Sequence, residues 1–570
     1  MSGAGKRSVL VLALVACTLA AYAPALRGGF VWDDDDYVTE NPTLRDLRGL
    51  GRIWLEPGAT PQYYPLVHTS FWIERHLFGE GPLAYHVTNV ALHAVCGLLV
   101  LLVLLRLGIE EPAALAAAAL FLLHPIQVES VAWVTERKNV LSGVFYLLAA
   151  LAWLGGRSRS RVAAAYALFV CALLSKTVTA TLPLALGAVA WWKAGRVERR
   201  DVLRLVPMAA IGGAFAWLTA SMERHHVGAL GADWSLSLAQ RLLVAGRAFW
   251  FYLGKLLWPH PLVFVYRRFD PSAEARGMAL WLVAAIGTGV ALWLLRRRIG
   301  RAPLAAYLVY GVTIAPALGF VNVYPMRFSF VADHFAYLAI LAPLVLLASA
   351  GVEAVRPLGK RGNGAFGALV AATALACAAI TFRQSRSYHD EETLWRDTLR
   401  KNPGAFLASN NLGGMLLLRG DLPGAERWLD AALRSKPDYP EALDNLGIVR
   451  ERQGRTEEAA GLYREALRHA PRFADAHNNL GILLASGGRV EEAREHFAEA
   501  VRIRPGFANA RFNLGLALET LGRFPEAASE YEEAARLDPR DSAAAQRLAW
   551  LRRTHPGLVR TPETTAPRSP

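Results

Sequence analysis

The sequence predicts an all-α chain: a polytopic bundle of about 11 membrane helices, then an α-solenoid of short helical repeats. Three observations lead there. Of 570 residues, 53% are hydrophobic and only 19% are charged, below the roughly 25% usual for soluble domains. The deficit is uneven, because residues 1–382 hold long apolar runs while residues 387–555 are charge-rich with helical periodicity. The same residue types also recur every 34 positions in the C-terminal third.

A hydrocarbon core about 30 Å thick needs roughly 20 helical residues. The expected spans are 8–26, 84–105, 112–124, 139–155, 162–174, 177–192, 203–220, 278–295, 303–320, 332–350 and 364–382. Shorter members suit helices buried around a cavity. Basic residues set the orientation. Lys6 and Arg7 precede the first span. Arg157, Arg159 and Arg161, then Lys193, Arg196, Arg199 and Arg200, then Arg296, Arg297, Arg298 and Arg301, then Arg356, Lys360 and Arg361 follow alternate later spans. With all of these inside, the N-terminus is cytoplasmic, and the first loop (27–83) and the repeats lie outside. Segment 239–258 carries Arg241, Arg247 and Lys255, costly at mid-membrane, so an in-plane amphipathic helix is expected; a spanning helix would move the repeats inside. The first span has the features of a signal peptide, and "LVAC" (14–17) resembles a lipoprotein box. Its apolar run continues past Cys17, so an uncleaved helix is expected. Cys17, Cys96, Cys171 and Cys377 sit in apolar runs without metal-like spacing and read as packing residues. The net charge of +14 fits inside loops. No basic tract interleaved with aromatics suggests nucleic acid.

In the repeats, prolines stand at 403, 437, 471, 505 and 539. "NLG" begins at Asn411, Asn445, Asn479 and Asn513. Gly420, Gly454, Gly488 and Gly522 keep the same step, as do Ala425, Ala459, Ala493 and Ala527. These coincident periods closely resemble a tetratricopeptide array of four helix-turn-helix units. The glycines fit turns, the alanines let paired helices approach, and each proline ends a unit. Residues 541–553 read as a capping helix. The Pro- and Thr-rich tail, 556–570, reads as disordered. Such arrays present a concave surface. Asn411, Asn445, Asn479 and Asn513 either form an amide ladder that holds an extended peptide backbone or are simply repeat consensus.

Four aspartates, Asp33 to Asp36, follow the first apolar run in "FVWDDDDYVTENP". Alone, they read as a solvated loop. Three other stretches change that. "HPIQVESVAWVTERKN" (124–139) brings His124, Glu129, Glu136, Arg137 and Lys138 to the same expected face. In "LLSKTVTATLPL" (173–184), Lys176 interrupts an apolar stretch and needs an anion or a route to the interface. "YPMRFSFVADHFAYLA" (324–339) adds Arg327, Asp333, His334 and Tyr337. Paired acids and several cations at a bilayer edge suit glycosyl transfer from a lipid phosphate. The leaving phosphate needs cations, and the acceptor hydroxyl needs a carboxylate base.

The first-loop "F-x-W-D-D…N-P", "HP…VESVAW…R", the "LSK" break, "AD-[basic]…Y" and the repeats together resemble the transmembrane and tetratricopeptide-repeat O-mannosyltransferases, within the multi-span GT-C class. The resemblance covers nearly the whole chain. It implies a GT-C-like transferase domain over 1–386 and a repeat domain over 387–555. It implies that Asp33 and Asp34 match the acidic pair and Glu129 the second-loop acid. It places Arg137, Lys176, Asp333 and His334 around the donor phosphate. Thr177 stands where relatives often carry an acid, and His334 where arginine is usual.

The expected activity is inverting transfer of one sugar, mannose by resemblance, from a polyprenyl-phosphate donor to Ser or Thr of an exported polypeptide. Asp34 is the expected base, with Asp33 as alternate. Glu129 positions the acceptor or holds a metal, and the repeats present the polypeptide. A divalent cation, Mg²⁺ or Mn²⁺, is compatible with the acids. The Ala/Leu/Arg-rich composition points to a bacterial inner membrane, with the repeats periplasmic. The alternatives are a lipid-linked oligosaccharide transferase or ligase, a non-catalytic membrane-anchored scaffold, and a transporter. Transporters often show internal symmetry between halves, and none is visible here.

Overall fold

Helix starts in this chain are marked by prolines and capping side chains. Pro82, Pro112, Pro183 and Pro303 sit in the first turn of their helices, where a missing N–H costs nothing. Asp46, Ser158, Ser237 and Asp390 accept a backbone N–H from the first turn of theirs. A computed structural model describes residues 3–229 and 231–557, and the expected tail lies outside them from 558 onward. α-Helices, short 3₁₀ turns and one π-helical turn, Asp35–Thr39, account for the regular structure, with no strand among the described residues. The chain divides into two compact units, Met1–Pro403 and Gly404–Pro570.

In the first unit every expected apolar segment contains a helix. Four helical segments are long and apolar enough to cross a membrane: Pro82–Arg106, Arg199–His225, Ala275–Leu295 and Leu341–Tyr388. The pair Glu111–Leu123 and Pro125–Ala132, bent by 48°, makes up to five. The other expected segments are helical but fall short in length or apolar content. Segment 239–258 forms one helix, Leu238–Leu257, and is not among those long and apolar enough. Its cations are satisfied inside the unit: Arg247 pairs with Glu274, and Arg241 donates to Gly319 O and Asn322 Oδ1, both at 2.8 Å.

Two features go beyond the sequence expectation. The first loop carries two helices, Leu47–Leu55 and Pro65–Phe78. The expected span 177–192 begins later, at Leu182, because residues 177–181 form a 3₁₀ turn. Pro183 stands in the first turn of that helix, and the preceding "TVT" run is β-branched, which disfavours a regular helix. Ser175 and Lys176 therefore lie in a break between two helices. The helix Glu391–Lys401 belongs to the first unit, where Trp395 is fully buried.

The second unit is a tetratricopeptide-repeat array. Its helix pairs are Phe406–Leu418 with Leu422–Ser435, Pro440–Arg452 with Thr456–His469, Ala474–Ser486 with Val490–Ile503, and Ala508–Thr520 with Phe524–Leu537. Ser542–Thr554 follows as the capping helix. The turn glycines 420, 454, 488 and 522 all have φ between +72° and +81°, which side chains resist. Ala425, Ala459, Ala493 and Ala527 are fully buried between paired helices.

Candidate active site

The first loop reaches the site through Trp32, whose φ of +48° is the one positive value at a non-glycine among the described residues. A bulky residue is strained there and persists only where its surroundings hold it. Trp32 stacks on Trp133, with centroids 5.8 Å apart and planes 7° from parallel, and meets the edges of Phe264 and Trp395 at 5.2 and 5.7 Å. The two aspartates that follow have different fates. Asp34 is fully buried. Its Oδ2 accepts the Val31 N–H at 2.8 Å, and its Oδ1 accepts the Thr135 N–H at 2.7 Å and the Thr135 hydroxyl at 2.6 Å. Asp33 is only partly buried, and its carboxylate makes no hydrogen bond or ion pair among the described residues. Burial pushes the Asp33 carboxyl up to about 6; the Lys138 ammonium pulls it down, while Asp36 and Glu136 push it up. Burial pushes Asp34 up to about 7 against its three donors.

The second loop lies at the heart of the unit, and every residue from 121 to 140 is buried. Glu136 is its anionic centre. Oε2 accepts from Lys176 Nζ at 2.9 Å and from Asn139 Nδ2 at 2.6 Å. Oε1 lies 3.1 Å from Lys138 Nζ and 3.9 Å from His334 Nε2. The Lys138 ammonium also sits over the Tyr37 and Trp133 rings, at 5.2 and 5.8 Å. Glu129 Oε2 accepts the backbone N–H of His334 at 3.1 Å. Its Oε1 is 3.0 Å from His334 Nδ1, an ion-pair distance, but the ring is not turned for a hydrogen bond.

The fold thus brings Asp33, Glu129, Lys176 and His334 around Glu136 and Lys138. It places Arg137 differently. Arg137 is fully buried, paired with Glu74, and donates to Asn89 Oδ1 and Tyr85 O, both at 2.8 Å, with Phe71 beneath its guanidinium at 4.6 Å. Its charge is matched and covered, which leaves no face for a ligand. Asp333 Oδ1 accepts the Tyr266 hydroxyl at 2.8 Å and faces that ring. Sequence reasoning put Glu136 and Lys138 on the face of the site but gave neither a role, although "TERK" puts an acid among cations. It missed Glu74, 63 residues from its partner.

In the second unit, three of the four asparagines bond to the preceding repeat. Asn445 donates to Asn410 Oδ1 at 3.0 Å, Asn479 to Asp444 Oδ1 at 3.0 Å, and Asn513 to Asn478 Oδ1 at 2.9 Å. All four remain partly exposed, so each keeps amide capacity beyond the ladder.

No three His, Cys, Asp or Glu side chains gather as a metal would require among the described residues. Glu136 faces two ammonium groups and Asp34 backbone and hydroxyl donors, while Asp33 is bonded to neither. An apolar cavity of about 360 Å³ lies among the helices, lined by residues including Leu104, Tyr146, Leu186 and Val345. Tyr146 is nine residues along its helix from Arg137, about 14 Å at the α-helical rise.

Fold and site together define an all-helical chain whose N-terminal unit holds apolar helices around a buried acid–cation cluster, and whose C-terminal unit is a repeat array. Family models described as tetratricopeptide repeat match residues 404–472, 445–508 and 484–551. Protein O-mannosyl-transferase Tmtc1 of Drosophila melanogaster is 36% identical over 152 residues, 25% of this chain and 18% of that protein. Protein O-mannosyl-transferase TMTC4 of Homo sapiens is 30% identical over 197 residues, 30% of this chain and 25% of that protein. The chain therefore spans a quarter or less of the length of these curated relatives, and the likeness lies over the repeat region. Among solved structures, that of Pseudomonas aeruginosa pilF is 28% identical and covers 27% of this chain and 69% of that one, with a TM-score of 0.26.

Proposed function

We propose that this protein is a membrane-embedded glycosyltransferase that moves a sugar from a polyprenyl-phosphate donor to Ser or Thr hydroxyls of a polypeptide held by the repeats. The observation that carries this reading is the pairing of an unbonded, half-buried carboxylate, Asp33, with the buried cations Lys138 and Lys176 gathered on Glu136. The names of the relatives, protein O-mannosyl-transferases, support mannose as the sugar.

Of the two candidate bases, geometry favours Asp33. Asp34 has both oxygens occupied by donors that tie the first loop to the second; Asp33 has neither. Asp33 takes the proton of the acceptor hydroxyl as that oxygen attacks the anomeric carbon. The bond from that carbon to the phosphate oxygen breaks, with inversion. The phosphate leaves as an anion toward Lys138 and Lys176, with His334 beside them. Glu136 holds both ammonium groups in place until the phosphate arrives. The apolar cavity suits a prenyl tail. The partly exposed asparagines suit an extended peptide backbone. A bacterial inner membrane, with the repeats outside, completes the proposal.

The test is transfer of radiolabelled sugar from polyprenyl-phosphate mannose to membrane-fraction protein, with wild type and an Asp33→Asn/Asp34→Asn double variant of equal expression. Label from wild type alone supports the reading; equal label from both sinks it. A second reading, a membrane-anchored scaffold, is favoured by the confinement of the likeness to the repeats. It requires that Asp33, Glu129 and Lys176 be neutralised together without effect on function.

A further inference from the structure

Twelve buried side-chain nitrogen and oxygen atoms lack a hydrogen-bond partner among the described residues. Four of them, Gln127 Oε1, Glu129 Oε1, Trp133 Nε1 and His334 Nδ1, fall in one place. They belong to Pro125–Gln127, Val128–Ala132 and the residue that follows, and to Asp333–Ala336, which packs on the first two. His334 links them: its Nδ1 is 3.0 Å from Glu129 Oε1, and its ring centroid is 6.0 Å from that of Trp133. All four residues are more than nine-tenths buried. An unmet polar atom inside a protein is costly; here Glu129 Oε1 and His334 Nδ1 face each other without a hydrogen bond while Gln127 Oε1 and Trp133 Nε1 have no partner, which marks a place where something else completes the bonding.

The set has a definite chemistry. Trp133 Nε1–H only donates. Glu129 Oε1 and Gln127 Oε1 accept, and His334 Nδ1 does either. Alternating donors and acceptors match hydroxyl groups, each of which both gives and takes a hydrogen bond. A phosphate takes donors alone, whereas two of these four atoms, Gln127 Oε1 and Glu129 Oε1, can only accept.

We propose that Gln127, Glu129, Trp133 and His334 form the subsite that grips the hydroxyls of the transferred hexose and sets which hexose is accepted. This rests on the transferase reading. It puts the hydroxyl-binding groups beside the cations that receive the phosphate, with Lys138 over the Trp133 ring and His334 next to Glu136.

The experiment uses the full chain in detergent, as wild type, Trp133→Phe and Glu129→Gln. Trp133→Phe keeps a ring in the cluster and removes only the N–H; Glu129→Gln keeps an acceptor for the His334 N–H. Folding is checked by thermal unfolding. Donor KM and the preference between polyprenyl-phosphate mannose and polyprenyl-phosphate glucose are then measured. Each variant should lose about tenfold in preference or donor KM, with the pH midpoint of the rate unmoved. Folded variants with wild-type KM and preference overturn the proposal and leave ordered water as the partner of the four atoms. Binding of methyl mannoside and methyl glucoside, followed by saturation-transfer NMR, separates the two readings. Sugar signals in wild type that fade in both variants support the subsite even if wild type transfers from neither donor, which would defeat the transferase reading alone. No wild-type signal together with no transfer overturns both.

Discussion

Replacing Asp33 and Asp34 one at a time by asparagine should produce two different losses. Asp33 makes no hydrogen bond or ion pair, so Asp33→Asn removes a base and no structural contact. A positioned general base contributes about 10²- to 10⁴-fold; kcat should fall by that factor, and the unfolding temperature should stay put. Asp34 accepts three hydrogen bonds, all from donors that stay in place after substitution. The asparagine oxygen can serve Thr135, but the amide nitrogen then faces the Val31 N–H. One buried donor is left unmet, at about 1–3 kcal/mol, and the charge that strengthened the other two is gone. Asp34→Asn should therefore lower the unfolding temperature measurably and reduce activity mainly through the amount of folded protein. The assays are sugar transfer at saturating donor and thermal unfolding of the same preparations. An Asp33→Asn protein with full kcat, or an Asp34→Asn protein that is equally stable and inactive, would refute the division of labour.

Other expectations can be checked on the same protein. If Asp33 is the base, activity requires its ionised form, so with the carboxyl raised to about 6 the rate should climb with pH through a midpoint near 6. Asp36→Asn removes a negative neighbour that raises it and should move the midpoint down. Glu74→Gln leaves the fully buried Arg137 without its counter-charge and should cost about 3–5 kcal/mol, read as a lower unfolding temperature. In the repeats, burial raises the Asp444 carboxyl from 3.8 to about 7. The unfolded chain then releases this proton first, so the repeat unit should lose stability as pH rises from about 4 to about 7. Asp444→Asn should flatten that dependence in unfolding curves taken between pH 5 and pH 8.

The repeats were legible because their signal is periodic and local: a glycine, an alanine and an asparagine each return after 34 residues, and each holds the same place in the fold. The helices of the first unit were legible as apolar runs. The break at Ser175–Lys176 was visible as polar residues in such a run, but the 3₁₀ turn after it was not, because the helix-disfavouring bias of the β-branched residues in 177–181 is small beside the apolar pattern that continues through them. Within the site, Asp33, Glu129, Lys176 and His334 stand near one another around Glu136 and Lys138. Arg137 carried the same signal as Lys176, a cation beside apolar sequence, and ends in a closed pair because its partner, Glu74, comes from a helix in the first loop that the sequence reading left without structure. Whether a cation meets a ligand or a carboxylate is decided by contacts far along the chain, and those leave no local trace.

Each rung of the asparagine ladder joins a repeat only to the one before it. Asn445, Asn479 and Asn513 all reach back 35 residues and no further. A duplicated block of 34 residues would bring its own rung, its own turn glycine and its own buried alanine, and would dock on its neighbour by bonds already in use. The groove can therefore gain or lose length in whole units while the chemistry of the other unit stays as it is. The length of the array becomes a matter of copy number, open to change by unequal recombination, whereas the acid–cation cluster, built from segments 300 residues apart in the chain, is not.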